Sequence, residues 1–180
     1  MLGAMPNGNG ADRGFDLAEL YRALDARRQE EGLSWAAATR AINARFGDVP
    51  GCRAIATSTV TALRTRPRAE GDGVLQMLLW LGRSPESFTR GLSDRPGTEL
   101  PDVGSNRILR WDTRALYTAL DRRRTEAGLS WPELASRIGG VDADALRRLS
   151  QGGRTSFPFV MDLVRWLDTP AASFTRASRG

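Results

Sequence analysis

The chain has 180 residues, 41% of them apolar and 26% charged, with a net charge of +5 and an isoelectric point of about 10.7. The composition is that of an ordinary globular protein, and its longest apolar run, Val74–Leu81, is far short of the ~20 residues a membrane span needs. One cysteine, Cys52, excludes an intrachain disulfide, and the absence of histidine removes the commonest general base and a common metal ligand.

Residues 1–14, with no basic start followed by an apolar stretch, read as a disordered lead-in rather than a signal peptide. Leu17, Leu20, Tyr21 and Leu24 then recur at helical spacing. Asp16 stands at the N-cap position, and Gly32 ends the helix with Arg27 and Arg28 near its negative pole. Ser34 caps a second helix. A third is expected over about Arg53–Arg64, after a turn widened by NARFGDVPG. An apolar helix over Val74–Leu81 and a final turn anchored by Phe88 follow.

The same order then repeats. Leu20–Trp35 and Leu116–Trp131, 96 positions apart, share twelve of sixteen residues. WLGRSPESFTR from Trp80 and WLDTPAASFTR from Trp166 share six of eleven, at an offset of 86, so the first copy carries about ten extra residues. Internal similarity of this length marks a repeated structural unit. Copy one covers about residues 15–92 and copy two about 108–180. Residues 93–107, rich in Gly, Pro, Asp and Ser, read as a flexible linker. In copy two, Asp112 and Gly128 bound the first helix, Ser130 and Glu133 form a capping box, and Val160–Leu167 is the apolar helix, followed by Phe174. No strand pattern is visible, so the expected class is all-α, with four to five short helices in each copy.

The basic balance favours an anionic partner, nucleic acid first. All 26 basic residues are Arg, which suits phosphate and guanine better than Lys does, although a GC-rich genome would produce the same bias. A helix, a short Gly turn and a second helix follow the helix-turn-helix plan, whose second helix lies in the major groove. ALDRRRTEAGLSWPELASRIGGVDADALRRLSQGGR, followed by WLDTPAASF, resembles the lambda-repressor/Cro-like (XRE-type) family. The points of likeness are the Arg-rich helix before GLSW, the small Ala135, the turn glycines Gly139 and Gly140, and the Leu146, Leu149, Gly152 exit. The resemblance covers nearly all of copy two and both ends of copy one. It implies two tandem lambda-repressor-like helix-turn-helix domains in a bacterial, cytoplasmic regulator of transcription that binds double-stranded DNA. The turn in copy two is one residue longer than the family pattern, and that in copy one about ten longer.

The third helices differ in chemistry. Copy one offers Arg53, Arg64, Arg66 and Arg68 without an acid, and small hydroxyls at Thr57, Ser58, Thr59 and Thr61. These residue types meet phosphates and base edges. Copy two places Asp142 and Asp144 at the corresponding front, leaving Arg147, Arg148 and Arg154. Copy one is therefore the expected stronger reader of an asymmetric, bipartite site. Thr57, Ser58 and Thr59 also suit helix capping, Asp142 and Asp144 suit an N-cap and its dipole partner, and Arg64, Arg66 and Arg68 suit a solvated face. Arg27, Arg28 and Arg122–Arg124 read as surface charges paired with nearby acids. Trp35, Trp80, Trp131 and Trp166 read as core.

The alternative is a helix-turn-helix interaction module, with copy two binding a protein such as another regulator or RNA polymerase. The sequence leaves a homodimer open. No catalytic group, cofactor or metal site is expected: there is no paired Cys, phosphate loop, G-x-S-x-G or metal-like acidic cluster. No membrane partner is expected either.

Overall fold

The computed structural model describes residues 14–93, 97–104 and 106–179; the expected lead-in, apart from Gly14, lies outside them. Copy one comprises α1 (Leu17–Glu30), α2 (Trp35–Asn43), α3 (Thr57–Thr61) and α4 (Gly71–Leu81). Copy two comprises β1 (Ile108–Trp111), α5 (Thr113–Glu126), α6 (Trp131–Ile138), α7 (Ala143–Arg148), α8 (Phe157–Leu167) and β2 (Thr175–Ser178). Short 3-10 turns extend α3 and α7 and follow α4 and α8.

The repeated words of the sequence form repeated caps and stacks. Asp16 Oδ1 accepts the Glu19 amide and Asp112 Oδ1 the Ala115 amide, each at 2.9 Å. Gly32 and Gly128 take φ of +64° and +65°, the left-handed conformation that ends a helix at no Cβ penalty. Ser34 Oγ accepts the Ala37 amide, and Ser130 and Glu133 complete the capping box.

Tyr21 stacks on Trp35 with centroids 5.2 Å apart, and the Arg28 guanidinium covers the same indole at 4.8 Å. Tyr117, Trp131 and Arg124 repeat this at 5.3 and 4.8 Å. Arg27 lies over Trp80 and Arg123 over Trp166, tying the first helix of each copy to its last. Arg28 and Arg124 do pair with Asp25 and Asp121, but the second task of the ArgArg pair is to roof the indoles, as cation–π contacts do. Trp80 is buried, whereas Trp35, Trp131 and Trp166 are half-buried beneath those guanidiniums.

The molecule is mostly helical but not strictly all-α. β1 pairs antiparallel with β2, Leu109 opposite Ala177 and Trp111 opposite Thr175. Each strand has four residues, and only β1 turns a largely buried row inward, so no period-2 pattern stands out along the sequence. In copy one the counterpart is a single bridge between Phe15 and Thr89.

The copies dock on each other through backbone at equivalent positions. Glu70 bridges Ser156, 86 residues on. The Gly71 amide donates to Thr155 O at 2.9 Å, and the Phe157 amide to Ala69 O at 3.0 Å. These two bonds exchange under the 86-residue offset, so the copies face each other about a pseudo-two-fold axis, as protomers do in an isologous dimer. Around the axis α4 packs against α8 and β1. Gln76 Nε2 donates to Leu109 O at 2.8 Å, Arg110 Nη1 to Asp72 Oδ2 at 2.9 Å, and the Ala171 amide to Glu86 Oε1 at 2.8 Å. One continuous apolar core runs through both copies. Within the segment read as a linker, Leu100 and Val103 pack against that core and Asp102 pairs with Arg45 at 3.1 Å.

Candidate nucleic-acid interface

The extra residues of copy one set the entry to α3. Phe46 and Val49 anchor them in the core. Asn43 then brackets Ile55, its Nδ2 donating to Ile55 O and its Oδ1 accepting the Ile55 amide, both at 2.9 Å. The chain stays extended through Ala56, and α3 begins at Thr57. The helix expected from Arg53 therefore starts four residues later, because the Asn43 bracket consumes the backbone groups of Ile55. Copy two has Gly139 at the position of Asn43 and makes a tight glycine turn instead.

Val60 and Leu63 point into the core, which turns Ser58, Thr59 and Arg64 to solvent and leaves Thr57 and Thr61 half-buried. Thr61 Oγ1 donates back to Thr57 O at 3.2 Å. Ala56 stands at the N-cap and supplies no side-chain bond. Arg53, Arg64, Arg66 and Arg68 are all exposed, and none has an ion pair among the described residues.

Copy two is arranged differently. Asp142 Oδ1 caps α7 by accepting the Asp144 amide at 3.0 Å, and its Oδ2 pairs with Arg148 at 3.3 Å. The Asp144 amide, with help from Arg148, holds the Asp142 carboxyl below its ordinary value. Asp144 pairs with Arg147, and Glu70 of copy one pairs with Arg154 at 3.0 Å. The three copy-two arginines thus each face a carboxylate.

The fold gathers part of the expected set. Arg53, Thr59, Arg66, Arg68 and Arg154 line one cavity of about 510 Å³ at the junction of the copies. Arg68 and Arg154 occupy equivalent positions on either side of the Glu70–Ser156 bridge. Arg64 lies apart, lining a hollow beside the start of α1 with Arg66 and Arg90. Thr57, Ser58 and Thr61, and Arg147, line neither space. Cys52, Arg110 and Asp72 also line the junction cavity; the sequence marks Cys52 only as a lone thiol and gives no sign of Arg110 or Asp72 as site residues. Burial raises the Asp72 carboxyl above its ordinary value, and Arg110 opposes that shift. No local motif marks these three, since they meet only when the copies dock.

Among the described residues no group of three His, Cys, Asp or Glu is placed to hold a metal ion, and no helix is long and apolar enough to cross a membrane. Comparison with protein-family models, curated proteins and solved structures gives no match.

Proposed function

We propose that the chain is a sequence-specific double-stranded DNA-binding protein, a transcriptional regulator with two tandem lambda-repressor-like helix-turn-helix units. The observation that carries this is the run of four exposed arginines, Arg53, Arg64, Arg66 and Arg68, without a carboxylate partner among the described residues, along and beside α3. The corresponding arginines of copy two, Arg147, Arg148 and Arg154, each face an acid instead. An unpaired arginine row flanked by small hydroxyls matches what phosphates and base edges require. In this proposal α2 and α3 form the reading pair of copy one, and DNA as partner sites the protein in the cytoplasm.

A second use of copy two has its own support. Asp142 and Asp144 already hold Arg148 and Arg147, so phosphate would have to displace those acids. Copy two then reads weakly or binds a protein partner.

Selection from a random duplex pool tests the proposal, with binding of the winner repeated at several salt concentrations. Four phosphate contacts give a log–log salt slope of about −3.6. A steeper slope with a bipartite, asymmetric motif means that copy two also reads. A pool with no enriched sequence at any salt overturns the proposal.

A further inference from the structure

The junction cavity has chemistry beyond a phosphate surface. Five arginines line it, Arg53, Arg66, Arg68, Arg110 and Arg154, against two carboxylates, Glu70 and Asp72. Glu70 holds Arg154 and Asp72 holds Arg110, leaving Arg53, Arg66 and Arg68 unpaired at the rim. Its inner wall is apolar, with Ile55, Leu63, Met77 and Ile108. Deeper, Gln76 is 1% exposed, and both its Oε1 and Arg110 Nε are out of solvent without a hydrogen-bond partner. A volume of about 510 Å³ falls within the range of small-molecule sites.

Gly73 forms part of the wall. A Cβ there would meet only Ile55 Cδ1, at 3.9 Å, so packing does not require glycine in this helix. Copy two has Phe159 at the equivalent position.

We propose that this cavity binds a small carboxylate with an apolar body, the carboxylate held among Arg53, Arg66 and Arg68 and the body against Ile55, Met77 and Ile108. Arginine forks suit a carboxylate's two oxygens. A monoanion fits better than a phosphate dianion because Glu70 and Asp72 share the lining. The ligand and DNA would claim the same arginines, so occupancy would weaken DNA binding; that consequence rests on the function proposed above, whereas the site itself does not.

Calorimetric titration of the full chain with octanoate, with octanamide as the uncharged control, tests the site. The expected result is saturable one-site binding of octanoate, with octanamide weaker by about tenfold or more. Gly73→Phe places a ring in the cavity and should abolish the binding. Arg53→Gln with Arg66→Gln, both on the exposed rim, should weaken it by about tenfold. The site is overturned if octanoate gives no binding at about 10 mM, if octanamide binds as well, or if the arginine pair changes nothing. Folded Gly73→Phe, judged by near-ultraviolet circular dichroism, that binds as the parent does would also overturn it. If Gly73→Phe does not fold, the arginine pair decides. None of these measurements involves DNA, so failure here leaves the proposed function standing.

Discussion

Trp111 fills the space that a side chain at Gly71 would need: a Cβ on Gly71 would lie 2.4 Å from Trp111 Cδ1 and 2.9 Å from Thr155 O. Under the pseudo-two-fold relation Gly71 corresponds to Phe157 and Trp111 to Phe15, and that second pair packs ring to ring with centroids 4.4 Å apart. The two halves of the junction solve one packing problem with opposite size choices. A larger indole meets no side chain on one side, and two phenyl rings meet on the other. Trp111 and Phe157 also touch, at 5.1 Å, so the solutions interlock. Gly71→Ala should cost about 1–3 kcal/mol, the range for overpacking. Trp111→Phe in the same chain should recover part of that loss. Urea unfolding of the two single variants and the double variant measures the coupling; strictly additive losses would show that the contact does not hold the copies together.

The contrast between paired and unpaired arginines predicts separate salt behaviour. Arg64→Gln, Arg66→Gln and Arg68→Gln together should lower the salt slope of DNA binding by about 2.7. Arg147→Gln with Arg148→Gln should change it by less than about one, because these arginines already face Asp144 and Asp142. Equal effects of the two sets would remove the distinction between the copies.

Features that depend on one stretch of chain were legible in the sequence. The repeat, the Asp16 and Asp112 caps, the Gly32 and Gly128 stops and the Ser130–Glu133 box each use neighbouring residues, and each stands as expected. The apolar helices were found but begin three residues earlier, at Gly71 and Phe157, where glycine and aromatic residues serve the junction rather than the helix. The docking of the copies was not legible because its symmetric bonds run through backbone atoms of Ala69, Gly71, Thr155 and Phe157, which carry no side-chain signature, and its side-chain bonds, such as Arg110 to Asp72, join residues far apart in the chain. For the same reason the cavity joining Arg53, Arg66 and Arg68 to Arg154 was hidden, although each arginine had been marked. The pairing of Arg147 with Asp144 was readable from their i, i+3 spacing on a helix.

The bare N-cap of α3 is a difference that can be reversed. Ala56 offers no side-chain acceptor, while Asp142 caps α7 from the equivalent position. Ala56→Ser should raise stability by about 1 kcal/mol, the usual worth of an N-cap, measured by thermal or urea unfolding. Ala56→Asp should cap as well but set a carboxylate beside Arg53 and α3. DNA binding should therefore fall with Ala56→Asp and hold with Ala56→Ser. Loss of binding in both would point to the shape of the helix entry rather than to charge.

Two carboxylates predict opposite pH trends. Asp142 is held below its ordinary value of 3.8 by the Asp144 amide and Arg148. Its stabilising contribution is complete above that value and is lost as pH falls through its lower folded pKa. Asp142→Ala should be the less stable protein at about pH 7, and its deficit should close below about pH 3.8. Asp72 is raised above 3.8 by burial, with Arg110 opposing. Its contribution is complete below 3.8 and is lost as pH rises through the raised value, so on acidification from about pH 7 the parent protein should gain stability relative to Asp72→Asn. Urea midpoints in steps from about pH 7 to pH 3 check both. If the parent lost ground to Asp72→Asn on acidification, the Arg110 pair rather than burial would govern the junction carboxylate.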